Sequence, residues 1–231
     1  MTAGVLFDAM ETLLTHEPPL RVLLAERWLG PGGGTSPESV STALEAMSRE
    51  GRWPGPEADP GPRLAAWTSF CREAIARAGG AGDGPLAAVA ARHLLEPGSY
   101  RLFDDAAPCL RRLRGLGFRV GLVSNFDAWL HDVLDALGVR ELLDGIVVSG
   151  ELGVVKPAPG IFHAGARSLG LSPGRCLHVG DSVRIDVEGA RRAGLTPVLL
   201  DRRGRHPGHA GHRITGLDQL DELARRWRAE S

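Results

Sequence analysis

The chain has 231 residues, 43% hydrophobic and 24% charged, which is ordinary globular composition and long enough for one substantial core plus an inserted subdomain. With 27 basic and 28 acidic residues its net charge is -1, so bulk electrostatics do not mark the chain as a binder of nucleic acid or of an anionic membrane, neither partner is expected, and any anion is bound locally. No basic region leads into an apolar stretch at the N-terminus, no segment approaches about 20 uninterrupted apolar residues, and Cys71, Cys109 and Cys176 are odd in number and far apart, so a soluble cytoplasmic protein with buried thiols, and neither a disulfide framework nor a cysteine zinc site, is expected.

The first element is the apolar run 4–7, which ends at Asp8 in Val5-Leu6-Phe7-Asp8-Ala9-Met10-Glu11-Thr12, the pattern of a strand delivering one carboxylate into a loop. From Thr15 to about Ser99 no strand pattern occurs. Helices are expected there over roughly 20–29, 37–50, 62–78 and 85–95, with Gly- and Pro-rich connections at 30–34 and 51–61. Pro31-Gly32-Gly33-Gly34-Thr35 follows a helix and lacks the Gly-Lys-Ser/Thr ending of a phosphate loop, so it reads as a connection. Trp28, Trp53 and Trp67 in this region are assigned mainly to packing, and Arg21 to a solvated helix start.

Beyond Ser99, short Val-, Leu- and Ile-rich runs at 118–123, 145–148, 175–179 and 196–200 alternate with helical patterns over 105–116, 128–137, 159–169 and 185–193. Gly117, Gly138, Gly170 and Gly194 stop those helices. This alternation predicts an α/β fold, a Rossmann-like parallel sheet flanked by helices, with an all-helical insert. The expected division is a core of residues 1–15 and 100–231 and a helical domain of residues 16–99.

Ligands of open parallel sheets bind at the carboxyl ends of the strands. Asp8, Ser124 and Asp181 each fall one or two residues past a predicted strand, so one crevice can gather all three. His178 lies within a strand and reads as a satisfied core histidine. His206, His209 and His212 stand three apart in a Gly and Pro loop near Arg202, Arg203, Arg205 and Arg213, where a solvated loop is expected in place of a metal or anion site.

Four segments, in order, carry a resemblance to the haloacid dehalogenase superfamily: Asp8-Ala9-Met10-Glu11-Thr12; Ser124-Asn125-Phe126-Asp127; Lys156-Pro157; and Gly180-Asp181-Ser182 with Asp186. The resemblance implies that Asp8 is a nucleophile forming an aspartyl-phosphate and that Mg2+ is bound by Asp8, Asp181, the Met10 carbonyl and Asp186, the last of which can instead steady Lys156 or complement a helix start. It also implies that phosphate is held by the loop of Ala9, Met10 and Thr12 together with Ser124, the Asn125 amide and Lys156, and that the helical insert is a substrate-selecting cap. A small phosphorylated metabolite would be the substrate, with the protein a monomer or homodimer. The family's first motif carries a second Asp as general acid and base; here that position is Met10, as in a subgroup whose second motif reads Ser-Asn-Phe-Asp. General acid and base assistance is worth about 100 to 10,000-fold, so such a chain is expected to be slow on alkyl phosphates and competent on good leaving groups such as acyl phosphates. Glu11 is the nearest replacement carboxylate but lies one residue later and is expected to point elsewhere. A metal-free haloacid dehalogenase or a non-catalytic binding protein are the alternatives; Gly180-Asp181 favours a magnesium-dependent phosphatase.

Overall fold

The computed structural model describes residues 2–18, 22, 36–50, 52, 54, 60–80 and 84–230. The chain divides into two compact units, Met1–Thr15 with Leu102–Ser231, and His16–Arg101. In chain order the elements are β1 (Gly4–Phe7), β2 (Leu14–His16), α1 (Pro37–Arg49), α2 (Pro60–Arg77), α3 (Gly84–Leu95), β3 (Tyr100–Leu102), α4 (Ala106–Gly115) and β4 (Arg119–Ser124). There follow α5 (Leu130–Ala136), β5 (Gly145–Val148), α6 (Ser149–Leu152), α7 (Pro159–Ser168), β6 (Cys176–Gly180), α8 (Glu188–Arg192), β7 (Thr196–Leu200), β8 (His212–Ile214) and α9 (Leu220–Glu230).

In the first unit a six-stranded sheet runs in the order β5-β4-β1-β6-β7-β8, and each neighbouring pair is parallel. All four residues of β1 are buried, as a strand covered on both faces must be. The register sets Phe7 opposite both Leu122 and Val179, so the ends of β1, β4 and β6 lie level and their outgoing loops meet at one place. The chain winds outward in both directions from β1, which makes this the switch point at which α/β sheets bind ligands. On α7, Ile161, Phe162, Gly165 and Ala166 form one buried stripe. Ile161, Phe162 and Ala166 pack with Leu6, Val123 and Ala190 into a core layer under the sheet. Helix stops fall at glycines as expected: Gly117 and Gly194 have φ of 79° and 78°, a backbone region that strains residues with a Cβ.

Three features depart from the sequence reading. The three-residue strands β2 and β3 pair with each other at the two ends of the helical insert, and β8 adds a sixth strand to the sheet. Strands this short carry no readable alternation. The predicted helix over 185–193 begins as a π-helical turn, Val183–Val187, before α8. The N–H groups of Asp186 and Val187 both donate to the Ser182 carbonyl, at 2.9 and 3.1 Å, and that wide turn decides where Asp186 points.

In the second unit α1, α2 and α3 enclose a core that includes Val40, Met47, Phe70, Ile75 and Leu94, with Trp67 meeting Phe70 edge-on at 5.6 Å. Apart from Val22, the expected helix 20–29 with Arg21 and Trp28 lies outside the described residues, as do Pro31–Thr35 and Trp53. His16 is buried, its ring 4.4 Å from that of Tyr100, and its Nε2 has no hydrogen-bond partner among the described residues. Burial, and then the neighbouring His93, push the His16 imidazole down to about 3. Cys71, Cys109 and Cys176 are buried free thiols. Among the described residues no helix is long and apolar enough to cross a membrane.

Candidate active site

Asp8 leaves the end of β1 with its N–H donating to the Val179 carbonyl at 2.9 Å, which extends the β1–β6 pairing by one residue and holds the carboxylate in the crevice. The chain then turns back on itself. Leu13 and Leu14 N–H groups both donate to the Ala9 carbonyl, at 2.9 and 3.0 Å, and Glu11 takes the left-handed conformation at φ 57°. Thr12, fully buried, directs its hydroxyl toward Asp8 Oδ2 at 3.4 Å. The loop is braced from the far edge of the sheet: Arg202 Nη2 donates to the Thr12 carbonyl at 2.9 Å, and the same guanidinium forms a two-pronged pair with Asp105, both bonds 2.8 Å. Such planar forks fix geometry as well as adding energy.

Lys156 comes from the loop after α6 and is 4% exposed. Its Nζ donates to Asp8 Oδ1 at 2.5 Å and to Asp186 Oδ1 at 2.7 Å. Its backbone is held by Asn125, whose Nδ2 donates to the Lys156 carbonyl at 2.9 Å while Oδ1 accepts the Lys156 N–H at 2.6 Å. The Asn125 side-chain amide is thus engaged in placing the lysine. Ser124, 2% exposed, is the last residue of β4.

Asp186, 2% exposed, accepts from Lys156 and from His178 Nε2 on Oδ1, at 2.7 and 3.0 Å, and from the Ser182 N–H on Oδ2 at 3.1 Å. Gly180 makes room for it, since a Cβ there would lie 2.3 Å from Asp186 Cγ. The reading of Asp186 as an acid complementing a helix start is therefore set aside: its carboxylate is bonded inside the crevice. Asp181, one residue past β6 and solvent-exposed, brings a third carboxylate, and one oxygen from each of Asp8, Asp181 and Asp186 falls within 4.8 Å of the others.

The electrostatics are uneven. Burial works against ionising Asp186, but the Lys156 charge and the His178 bond outweigh it and hold the carboxyl below the usual carboxylate range. Lys156 keeps its proton because Asp186 and Asp8 overcome the desolvation of its ammonium. Asp8 is raised by burial and by Asp186 despite Lys156. Although Asp181 reaches solvent, it is pushed above its ordinary value by desolvation where its carboxyl faces the crevice and by the charges of Asp186, Asp8 and Glu11. Three carboxylates facing one ammonium leave an excess of negative charge that a hard divalent cation suits, and clustered carboxylate oxygens are the donors such ions take. The residues present fit magnesium.

The structure brings Asp8, Thr12, Lys156, Asp181 and Asp186 together as the sequence led us to expect. Met10 bridges to Leu14 within the turn, and its thioether carries no proton to give. Glu11 does point elsewhere: it accepts from Thr15 Oγ1 at 2.9 Å and from Arg203 Nη2 at 2.8 Å. The histidine loop is organised by Asp201, which accepts from the N–H groups of Arg205 and His206 and from Arg213 Nε. His206 and His212 are exposed, and no metal cluster forms there among the described residues. Sequence reasoning missed His178 as a partner of Asp186 and missed Arg202, Arg203 and Asp105 as braces of the first loop; only the Arg-Arg pair just past a strand hinted at the latter.

Comparison with known proteins places this arrangement. The family model of haloacid dehalogenase-like hydrolases matches residues 2–194. A glyceraldehyde 3-phosphate phosphatase of Methanopyrus kandleri is 38% identical over 121 residues, 52% of this chain, which spans about half (52%) of that relative's length. A phosphoserine phosphatase of Thermus thermophilus is 33% identical over 167 residues, covering 70% of this chain and 65% of its own. Among solved structures, the L-2-haloacid dehalogenase RSc1362 superposes with a TM-score of 0.76 over 97% of this chain and 99% of its own, at 22% identity, a likeness of fold. With its family's sheet, its four motif segments in order and its carboxylate crevice in place, the chain belongs to the haloacid dehalogenase-like hydrolases and is a hydrolytic enzyme of that superfamily.

Proposed function

We propose that this enzyme is a magnesium-dependent phosphatase of a small phosphorylated metabolite, working through an aspartyl-phosphate on Asp8. The observation that carries the reading is the cluster of Asp8, Asp181 and Asp186 oxygens within 4.8 Å at the ends of β1 and β6, with the Lys156 ammonium 2.5 Å from Asp8. The dehalogenase-like structure shares the fold, but the third carboxylate suits a cation and a phosphate better than a carbon-centred displacement. The phosphatases of Methanopyrus and Thermus, matched over half or more of this chain, support the same reaction class.

Asp8, Asp181, Asp186 and the Met10 carbonyl would hold the magnesium, which when bound supplies positive charge against the phosphate and the carboxylates. Asp8 attacks phosphorus; the bond from phosphorus to the leaving oxygen breaks, and that oxygen takes the electron pair. Lys156, Ser124 and the backbone N–H groups after Asp8 and Ser124 neutralise the equatorial oxygens. Water then attacks phosphorus, returning the Asp8 carboxylate and releasing a proton to solvent. Met10 can serve neither proton transfer, which resembles the subgroup lacking the second Asp and favours leaving groups stable as anions. The helical unit inserted between β1 and β4 would be the substrate-selecting cap, and a cytoplasmic location fits such a substrate.

Phosphate release from acetyl phosphate and from an activated aryl phosphate, each with magnesium and with chelator, tests this. Release that needs magnesium and is lost in Asp8→Asn, on the order of 10,000-fold or more, is expected. Equal release by Asp8→Asn would overturn the reading.

A further inference from the structure

His178 is wholly buried in β6, two residues before Gly180, and its ring meets Phe162 edge-on at 4.9 Å. Its Nε2 lies 3.0 Å from Asp186 Oδ1, and its Nδ1 has no partner among the described residues. A side chain kept there for packing alone would gain from being Phe or Leu, since an unsatisfied buried nitrogen costs about 1–3 kcal/mol. What the imidazole provides and those residues lack is one N–H, and it is aimed at Asp186.

The geometry at Asp186 shows what that N–H does. Each carboxylate oxygen has two lone pairs. Oδ1 carries two donors, Lys156 Nζ at 2.7 Å and His178 Nε2 at 3.0 Å, whereas Oδ2 carries the Ser182 N–H at 3.1 Å. With Lys156 and Ser182 alone the group could turn about its Cβ–Cγ bond and exchange its oxygens; the buried imidazole makes the two oxygens inequivalent. The Asp186 side chain occupies the space that a Cβ on Gly180 would fill, so it packs directly beside the β6 backbone.

We propose that His178 is a positioning residue of the active site, in the tautomer protonated on Nε2, which fixes the turn of the Asp186 carboxylate so that Oδ1 holds Lys156 against Asp8. The chain of bonds runs from His178 to Asp186, to Lys156, to Asp8, and crosses the floor of the crevice from β6 to β1. Its catalytic consequence rests on the phosphatase reading above; its geometric content does not.

Groups that orient an active-site ligand through one intervening residue change activity by about 10 to 100-fold. His178→Phe keeps the ring volume and the edge contact while removing the N–H, and His178→Gln restores a donor. With acetyl phosphate and saturating magnesium, His178→Phe is expected to lower kcat about tenfold with KM within about twofold, and His178→Gln to recover most of the loss. In a Lys156→Met background, His178→Phe is expected to lower kcat further by less than about twofold, because the group it acts through is gone. An independent multiplicative loss there, or an undiminished kcat in His178→Phe with only a lower thermal midpoint, would overturn the proposal. Nitrogen-15 NMR of the metal-free protein supplies a readout without turnover. The Nε2-protonated tautomer of His178 is expected, with a Lys156 Nζ resonance that moves in His178→Phe and returns in His178→Gln. A Nδ1-protonated tautomer, or a Lys156 signal indifferent to both variants, would sink the proposal even if the enzyme is an active phosphatase. Absence of phosphate release from wild type, with the NMR pattern as expected, would instead count against the phosphatase reading alone. If His178→Phe does not fold, His178→Gln and the wild-type tautomer decide the matter.

Discussion

The two sides of Asp8 are built differently. On one, Lys156, Asp186 and His178 form a buried, closely bonded chain that ends at Asp8. On the other, the turn from Met10 to Leu14 offers a thioether where a proton carrier is wanted, and its single flanking acid, Glu11, is tied to Arg203 and Thr15. On the phosphatase reading proposed above, the difference teaches that holding an anion beside a nucleophile and moving protons around it are separable tasks, the first built into the chain and the second left to the substrate.

The strongest way to break the comparison is to strip the charge-holding side of a carboxylate proposed to hold the cation. Asp181→Ala is expected to lower magnesium-dependent phosphate release about a thousandfold. The same variant should raise the thermal midpoint of the metal-free protein, because it removes one of three carboxylates gathered within 4.8 Å of one another. Undiminished release at saturating magnesium would exclude Asp181 as a ligand. Next in size, Lys156→Met leaves Asp8 and Asp186 facing each other, with an expected loss of roughly 100 to 1,000-fold in kcat/KM and a lower midpoint in chelator, both checked against Lys156→Arg.

Two further substitutions sharpen the other side. Met10→Asp supplies the missing proton carrier and is expected to raise release from alkyl phosphates by about 10 to 100-fold while leaving acetyl phosphate within about threefold. Equal gains on both substrates would mean that leaving-group protonation is not the deficit. Glu11→Gln should change kcat by less than about twofold, because its carboxylate braces the turn and moves no proton; a large loss would assign Glu11 the acid and base role that its bonds to Arg203 and Thr15 argue against.

What the sequence revealed follows from how local each feature is. Asp8 and Asp181 stand one residue past their strands and Ser124 ends its own, and parallel register alone carries them to one crevice, so three positions at chain separations of more than a hundred and about sixty residues could be read together. Asp186 was visible as a motif acid, but its placement depends on the π turn at Val183–Val187, a two-to-one hydrogen bonding of Ser182 that no apolar period signals. His178 looked like any apolar-strand histidine because its partner arrives from eight residues later through that turn. Arg202 and Asp105 meet across 97 positions, and charged residues near a loop usually remain solvated, so their pairing left no local trace. The strands β2, β3 and β8 are each three residues long, too short for any alternation to register.

The buried His16 gives the helical unit a dependence on acidity of its own. Its imidazole titrates at about 6.5 in an unfolded chain and at about 3 in place, because burial and then His93 disfavour the charged ring. The unfolded form therefore takes up a proton that the folded form refuses, and full stability holds above pH 6.5 and drains away as the pH falls toward 3. The slope is about 1.4 kcal/mol for each pH unit across that window. Acid is therefore expected to weaken the unit that holds His16 and to open it to proteases. Limited proteolysis at pH 5 and pH 7.5 should show cleavage within the helical unit at the lower pH, and His16→Phe should suppress it.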